Sequence, residues 1–137
     1  MIEGVIKTKL RLIQIERDYL RDIIKKNQLK NKKFGEIYIS TISYKKIRAW
    51  KKQIKITQNL VVPHGKVKIT LVDDRKNSKT YKKKQIVTLT ENPYFRLTIP
   101  PNIWYGFEGI SRNFSMIVAV TDYLFNEKDV IRKKYKK

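Results

Sequence analysis

The stretch Ile99-Pro100-Pro101-Asn102-Ile103-Trp104-Tyr105-Gly106-Phe107 decides the fold of this 137-residue chain. Pro100 and Pro101 each fix φ and lack a backbone N–H, so they belong at a turn or at the edge of a sheet. Strand-like residues on both sides of the prolines predict a hairpin whose second strand carries the aromatic residues. We expect this hairpin to line the mouth of a small β-barrel, with Gly106 allowing a neighbouring backbone or a ligand to approach closely.

Short strand-like segments recur along the rest of the chain. The clearest is 36–42, in which Ile37 and Ile39 share one face while Tyr38 and Ile42 share the other. Further segments of this kind are 59–62, 66–72, 86–90, 96–99 and 115–120. Their regular spacing, with turn residues between them, predicts an all-β fold built as a barrel or a sandwich of antiparallel sheets.

The segment 9–27 is ambiguous at the level of residue pattern. It contains good helix formers and a helical spacing at Leu12, Ile15, Tyr19 and Ile23, so propensity alone predicts a helix. Residues 9–15 also alternate as a strand would. Periodicity therefore leaves both structures open.

The C-terminal region predicts a short helix followed by a tail. Residues 126–132 fit a helix with Asn126 as its N-cap and acidic residues in the first turn. The sequence predicts a single domain over residues 1–132, because the chain is too short for two comfortable cores. Residues 133–137 are predicted to be a basic disordered tail, since they have almost nothing apolar to bury.

The formal net charge of +20 raises the possibility of nucleic-acid binding, because clustered cations release counterions from phosphate backbones. However, the chain has 24 lysines against 8 arginines, whereas bidentate recognition of phosphate or guanine favours arginine. The lysines are also spread along the whole sequence. A solvated, lysine-rich surface is the favoured interpretation, with non-specific polyanion binding as a weaker alternative.

Several classes of chemistry are disfavoured by composition. The chain has no cysteine, which excludes disulfides and thiolate catalysis and favours a cytoplasmic location. Its one histidine, His64, lies in a Pro-His-Gly turn, so we expect no tightly bound transition metal and no cofactor. No apolar run is long enough to span a bilayer, and the N-terminus lacks the apolar block of a signal peptide.

A family resemblance emerges from motifs whose order and spacing extend over most of the chain. They are Ile2-Glu3-Gly4-Val5, Phe34-Gly35-Glu36-Ile37-Tyr38, Ile47-Arg48-Ala49-Trp50, the segment 74–81, the segment 99–107 and Thr121-Asp122-Tyr123. The sequence resembles the dTDP-4-dehydrorhamnose 3,5-epimerase family, cupin-type jelly rolls that act on nucleotide-linked 4-keto sugars. The resemblance implies a cupin-type jelly-roll barrel of two antiparallel sheets, mostly strands around a turn in residues 9–27, and a homodimer.

The resemblance also indicates which residues occupy the family's catalytic positions. Lys51 stands where the family has a histidine as general base, and a lysine can act as a base only if its pKa is lowered by about three units. Tyr105 stands at the histidine of the proline-rich segment. Gln58 matches a lysine that polarises the keto oxygen, and Val118 matches a tyrosine proposed as general acid. The acidic partner of the base lies in a C-terminal extension that this chain lacks.

The positions that hold a ligand are better matched. Arg48 corresponds to the family arginine before the base, and Arg17 corresponds to an arginine that contacts the nucleotide. In a homodimer the resemblance allows Arg17 to reach the neighbouring subunit's site. Trp50 and Trp104 offer flat faces for a sugar or a base. A structural role remains open for each, since Arg48 could pair with a carboxylate and both tryptophans could fill the core.

The resemblance implies an isomerase of deoxysugar or surface-polysaccharide biosynthesis, with Lys51 and Tyr105 as the candidate catalytic residues. Its ligand would be a nucleotide-linked sugar bound by Arg17, Arg48, Trp50, Gln58 and Trp104. The substitutions at the catalytic positions leave a second class open, namely a cupin that binds a sugar nucleotide without turnover or serves as a partner subunit. The two classes differ in whether a dTDP-4-keto sugar gains deuterium at C3 or C5 in D2O.

Overall fold

The computed structural model describes residues 1–136, and nearly all of its regular structure is β-strand. The strands are β1 (Ile6–Lys9), β2 (Leu12–Ile15), β3 (Asp18–Arg21), β4 (Ile37–Ser43), β5 (Ile47–Gln53), β6 (Gln58–His64), β7 (Lys66–Asp73), β8 (Lys84–Thr90), β9 (Phe95–Ile99), β10 (Ile103–Gly109), β11 (Phe114–Thr121) and β12 (Val130–Arg132). Three short 3-10 turns cover Lys26–Gln28, Lys30–Lys32 and Glu127–Asp129.

Two five-stranded sheets and a small hairpin make up the fold. The first sheet has the strand order β1-β9-β6-β11-β4, the second has the order β12-β5-β10-β7-β8, and β2 pairs with β3. Every strand pair within the sheets is antiparallel. Neighbours in a sheet are mostly distant in sequence, which is the connectivity of a double-sheet jelly roll. The prediction of an all-β, cupin-type jelly roll is confirmed.

The core lies between the two sheets and follows from simple alternation along the strands. In β7, Val67, Ile69 and Leu71 are fully buried, while the residues between them are only partly covered. In β6 the run Leu60–Val62 is buried on both faces. Burying a side chain of this size stabilises the fold by roughly 1.5–3 kcal/mol. Because several such side chains alternate along a strand, their burial determines which face of that strand points into the core.

The hairpin β2–β3 explains why β6 is buried on both faces. Leu12 packs with Leu10 and Ile23 against Val61 and its neighbours on the outer face of the first sheet. The strands turn at Glu16, whose φ is 55°, a left-handed conformation that is incompatible with a continuous right-handed α-helix. The helix that propensity predicts over this region is therefore wrong, and the strands implied by the family resemblance are confirmed. Burial of Leu12 outweighs a weak local preference.

The proline-rich stretch occupies the turn between β9 and β10, as expected. Asn102 completes this turn with a φ of 66°. From there β10 runs through the middle of the second sheet between β5 and β7. A Cβ added at Gly106 would lie 2.6 Å from the Cβ of Ala49 on β5, so this position requires glycine for close strand approach.

The C-terminal region departs from the helix predicted over 126–132. Asn126 does act as a cap, because its side chain accepts a hydrogen bond from the Lys128 N–H, but the helical part is a single 3-10 turn. Residues Val130–Arg132 instead form β12, the edge strand of the second sheet, which pairs with β5. Lys133 continues this pairing, since its N–H and C=O both bond to the backbone of Trp50. The division into a domain of residues 1–132 and a tail stays a prediction, and Lys137 lies outside the described residues.

The loop after β7 is organised by one buried carboxylate. Asp73 accepts hydrogen bonds from the guanidinium of Arg75 at 2.9 Å, from the Ser78 hydroxyl at 2.7 Å and from the Thr80 hydroxyl at 2.6 Å. Burial alone would raise the pKa of Asp73, but these donors hold it well below its usual range. Arg75 also donates to the backbone oxygen of Glu3 and so ties the loop to the N-terminus. Within residues 1–136, no helix is long and apolar enough to cross a membrane.

Candidate functional site

A cavity of about 630 Å³ opens between the two sheets. Its walls are mainly aromatic and apolar, and its rim is cationic. The apolar and aromatic lining comprises Tyr38, Ala49, Trp50, Leu60, Tyr105, Phe107, Ile117 and Ala119. The cationic lining comprises Arg48, Lys51, Arg132, Lys133 and Lys134, and the remaining lining residues are Ser40 and Gln58. Among the described residues that line it, none is a carboxylate or a histidine.

One wall of the cavity is a row of side chains across the second sheet. Lys51 on β5 lies directly opposite Arg132 on β12 and opposite Tyr105 on β10. Directly opposed residues point to the same face of an antiparallel sheet. The pairing of β5 with β10 shifts register between Tyr105 and Gly106, so this row depends on a bulge.

The facing wall is a row across the first sheet. Tyr38 on β4 lies opposite Ala119 on β11, and Ala119 lies opposite Leu60 on β6. Because Ala119 is small, it leaves open space beside the Tyr38 ring. Gln58, at the start of β6, is buried and completes the floor of the cavity.

Lys51 occupies an environment that disfavours its charged form. Partial burial lowers the pKa of its amine, and the positive charges of Arg132 and Arg48 lower this pKa further. Glu127 opposes this shift but is engaged by the guanidinium of Arg132. The wall thus presents an amine that is more readily deprotonated than an ordinary lysine.

The two tyrosines of the cavity are kept neutral. Burial raises the pKa of Tyr105, and hydrogen bonds from Gln53 and Gln58 offset only part of this rise. Burial also raises the pKa of Tyr38, and the Tyr105 hydroxyl adds to the effect. Both phenols are therefore hydrogen-bond donors at neutral pH.

The cationic rim is assembled by the C-terminal segment together with β5. The ammonium of Lys133 lies 4.4 Å from the centre of the Trp104 ring, and the Tyr135 ring lies 6.4 Å from the ring of Trp50. These contacts, with the backbone pairing of Lys133 to Trp50, bring Lys134 to the cavity. Five cations around one opening favour an anionic ligand.

Residues 1–135 match the family model described as dTDP-4-dehydrorhamnose 3,5-epimerase. The chain belongs to this family. The dTDP sugar isomerase of Desulfovibrio desulfuricans G20 is similar to it, with 30% sequence identity and a TM-score of 0.92 over 97% of this chain and 85% of that one. The chain is also similar to the dTDP-6-deoxy-D-glucose-3,5-epimerase of Legionella pneumophila Philadelphia 1, crystallised with dTDP-4-keto-L-rhamnose. That pair shares 16% identity and a TM-score of 0.87 over 98% of this chain and 74% of that chain, which supports the fold alone.

A curated relative comes from Haloferax volcanii and is described as a probable low-salt glycan biosynthesis epimerase, Agl13. It is 25% identical over 84 residues, which are 61% of this chain and 54% of the relative. The match thus spans about half the length of that protein. Its description as an epimerase agrees with the description of the family model.

The structure brings most of the site residues expected from the epimerase family together. Lys51, Tyr105, Arg48, Trp50 and Gln58 all line the one cavity. Arg48 donates a hydrogen bond to the backbone oxygen of Thr41 at 3.0 Å, and it takes part in none of the ion pairs found among residues 1–136. The alternative of a structural pair between Arg48 and a carboxylate is therefore not what the structure shows.

Two expected ligand contacts lie away from the cavity within one chain. Trp104 neighbours Tyr105 on β10, and alternation turns its ring to the other face of the sheet, between the amines of Lys52 and Lys133. Arg17 sits exposed in the turn of the hairpin β2–β3, which packs on the outside of the first sheet. A contact from Arg17 to a ligand would require a second subunit.

Val118, at the position of the family's tyrosine, contributes no side chain to the cavity. Its side chain points out of the barrel and packs with Val61 and Tyr94, whereas Ala119 faces the cavity. At this part of the wall a hydroxyl is supplied instead by Tyr38, which stands opposite Ala119.

Sequence reasoning missed Tyr38 and the C-terminal cations as site residues. Alternation in β4 does place Tyr38 on the same face as the buried Ile42, but a strand tyrosine on that face is also typical of a filled core. Arg132 and the two lysines after it were assigned to a helix end and a tail, because no local pattern indicates that β12 pairs with β5. Within the described residues, no group of three histidine, cysteine, aspartate or glutamate side chains is arranged to hold a metal ion.

Proposed function

We propose that this protein binds a nucleotide-linked 4-keto sugar in the cavity between its sheets and acts on it as an isomerase, an epimerase or a ketoisomerase. The observation that carries the proposal is the combination of aromatic walls with five rim cations in a cavity of about 630 Å³. Pockets of this size accommodate small-molecule ligands. A sugar nucleotide combines flat or apolar rings with a diphosphate. The rings match the aromatic walls, and the diphosphate matches the cationic rim.

The proposed chemistry starts from removal of a proton next to the keto group. Such a step needs a base whose pKa lies near neutrality and a donor to the developing enolate oxygen. Lys51, with its lowered pKa, is the proposed reacting amine, Gln58 is the proposed donor to the oxygen, and Tyr105 is the proposed proton relay. All three side chains belong to one cavity.

The proposed ligand class is tested by thermal shift of the full chain with dTDP, with thymidine and with inorganic phosphate. We expect stabilisation by dTDP well above that by thymidine or phosphate, because only dTDP meets both the walls and the rim. Arg48→Gln should weaken this shift, whereas Arg112→Gln, at an exposed site outside the cavity, should not. Equal shifts with dTDP and inorganic phosphate would contradict binding in this cavity.

The proposed reaction is tested by incubating the protein with dTDP-4-keto-6-deoxyglucose in D2O. Isomerase or epimerase chemistry predicts deuterium at C3 or C5, or migration of the keto group, by NMR. Absence of both changes, under conditions in which dTDP binds, would remove the catalytic part of the proposal.

A second candidate is a binding cupin without turnover. It is favoured by one observation, the absence of carboxylates and imidazoles among the described residues of the cavity lining. The two candidates share the binding prediction and differ only in deuterium incorporation.

The proposed assembly is a homodimer formed through the first sheet and its hairpin. Ile37 and Ile39 are exposed on the edge strand β4, and Ile15 and Leu20 are exposed on the hairpin. Exposed apolar side chains on an unpaired edge are typical of an interface or of an aggregation hazard. A second copy is the proposed occupant, because pairing there would also bring Arg17 to a neighbouring subunit.

A further inference from the structure

Few of the side chains that line the cavity carry groups that can react at a carbonyl. Among the described lining residues, the side chains that carry an amine or a hydroxyl are the three rim lysines, Tyr38, Tyr105 and Ser40. Both phenols are held in the neutral form, which makes them weak bases. Besides acting as a base, a lysine amine can promote proton removal next to a keto group in a second way, because lysine amines form Schiff bases with carbonyl substrates.

We propose that Lys51 forms a covalent imine with the carbonyl carbon of a keto sugar bound in the cavity. This inference rests on the proposed function, since it needs a keto-sugar ligand. It differs from general-base catalysis, because the amine becomes bonded to the substrate and withdraws electrons from it directly.

Position singles out Lys51 among the three lysines. Lys51 lies inside β5 with a strand on either side, so its backbone is fixed by pairing to both Arg132 and Tyr105. Lys133 and Lys134 follow the end of β12, and the ammonium of Lys133 is already engaged over the Trp104 ring. Lys51 is thus the amine held most firmly within the wall.

The surroundings of Lys51 fit a nucleophilic amine. Partial burial disfavours its charged form, and Arg132 and Arg48 add two permanent positive charges to this effect. A lysine beside another cationic group and partly removed from water is the usual arrangement for an imine-forming residue. The positive charges of Arg132 and Arg48 are offset once the ligand's diphosphate enters the rim, since the diphosphate supplies negative charge at the opening.

The step balances without an oxidant or reductant. The lone pair of the neutral amine attacks the carbonyl carbon, the carbonyl oxygen takes up protons and leaves as water, and a protonated C=N bond remains. The C–H bond on the adjacent carbon then breaks, and its proton passes to water with the Tyr105 hydroxyl as relay. Its electron pair forms a C=C bond to the former carbonyl carbon while the π pair of the C=N bond moves onto nitrogen, which gives a neutral enamine. Return of a proton to either face, followed by hydrolysis, restores the free amine and the ketone.

The test is reductive trapping. The full chain is incubated with dTDP-4-keto-6-deoxyglucose and sodium cyanoborohydride, and its intact mass is measured. The expected product carries one added ligand less one oxygen atom, and peptide mapping assigns the adduct to Lys51. Lys51→Arg keeps the positive charge but cannot form an imine, so it should lose the adduct. The matched control is Lys52→Arg, at the adjacent lysine that pairs with Asp74 and does not line the cavity, which should keep the adduct.

The outcomes separate the imine from the proposed function. An adduct at Lys51 that dTDP suppresses by competition supports the imine. Stabilisation by dTDP with no adduct, or with equal adduct in Lys51→Arg, overturns the imine while the binding proposal stands. If neither dTDP nor the keto sugar stabilises the protein, the proposed function fails, and the imine fails with it. Thermal unfolding of each variant shows whether it is folded, so loss of the adduct is not confused with loss of structure.

Discussion

The chemical character of Lys51 is determined by residues that are far from it in sequence. Arg132 is brought beside it by the pairing of β12 with β5, and Tyr105 is brought beside it by the pairing of β10 with β5. Lys52, the next residue along the strand, points the other way and forms an ion pair with Asp74. Two adjacent lysines therefore have different surroundings because alternation sends one to the cavity and the other to the opposite face.

The lowered pKa of Lys51 predicts unusual reactivity toward amine reagents. Its neutral fraction at pH 8–9 should exceed that of an ordinary lysine, since the charged form is disfavoured. Competitive acetylation followed by peptide mass spectrometry should show Lys51 reacting ahead of Lys52. Arg132→Gln removes a neighbouring cation, raises the pKa of Lys51 and should slow its acetylation, whereas Arg112→Gln should not. Equal reactivity of Lys51 and Lys52 across this pH range would contradict the assignment.

Asp73 provides a test of stability at a single residue. Asp73→Asn should lower the free energy of unfolding by about 3 kcal/mol, because it leaves the guanidinium of Arg75 without its buried partner. Since the folded pKa is depressed, the carboxylate's contribution is present above its unfolded pKa of about 3.9 and is lost as pH falls toward the folded value. Urea unfolding at pH 7 and at pH 3 measures both effects.

The control for this prediction is Asp74→Asn at the adjacent residue. Asp74 pairs with Lys52, and its side chain is 36% exposed whereas that of Asp73 is fully buried, so loss of the Asp74 pair should cost less stability. If the two variants lose similar stability at pH 7, the loop is not held by Asp73.

At the scale of elements, the C-terminal segment carries two cations of the site, Lys133 and Lys134, that lie after the last strand and can be neutralised without altering a strand. Lys133→Gln with Lys134→Gln should weaken dTDP binding by roughly thirtyfold, since two solvent-exposed charge-assisted contacts of about 1 kcal/mol each are lost. Isothermal titration calorimetry measures the affinity. The matched control is Lys26→Gln with Lys30→Gln, which removes the same charge from the turns after the hairpin, away from the cavity. An equal loss in both pairs would indicate attraction by net charge alone.

The central strands could be predicted from sequence because their alternation is local. Residues 36–42 showed which side chains of β4 share a face, and the two prolines located the turn before β10. The hairpin could not be predicted from its residues alone, since its strands are stabilised by packing of Leu12 and Ile23 on a sheet formed by distant segments.

The site was only partly predictable for a related reason. Family positions located Lys51, Arg48 and Gln58, but strand register decides which residues face each other across the cavity. The bulge at Tyr105 and Gly106 and the pairing of β12 with β5 are long-range features. For that reason Tyr38 and the C-terminal cations were missed, and Trp104 was expected at a cavity that it does not line.

At the scale of the whole molecule, the apolar edge of the first sheet predicts self-association. Ile39→Lys places a charge on the exposed face of the edge strand β4 and should convert a dimer to a monomer. Sedimentation velocity over a range of protein concentrations measures the state. Ile86→Lys, an equally exposed position on β8 at the edge of the other sheet, is the control and should leave the dimer intact. A wild-type chain that stays monomeric at all concentrations would exclude this assembly.

The net charge of +20 makes a separate prediction about polyanions. Single-stranded oligonucleotides should bind at low ionic strength without sequence preference, and the logarithm of their affinity should fall linearly with the logarithm of salt concentration. Fluorescence anisotropy with oligonucleotides of equal length and different sequence measures this. A preference for one sequence, or binding that survives high salt, would instead indicate a built nucleic-acid site.

The two tryptophans of the chain share one cation. The ammonium of Lys133 lies 4.4 Å from the centre of the Trp104 ring and 6.0 Å from the centre of the Trp50 ring. Lys133 also lines the cavity, so a ligand whose diphosphate attracts this ammonium changes the electrostatic surroundings of both indoles at once. The protein thus carries two intrinsic fluorophores that report on the position of a single rim charge.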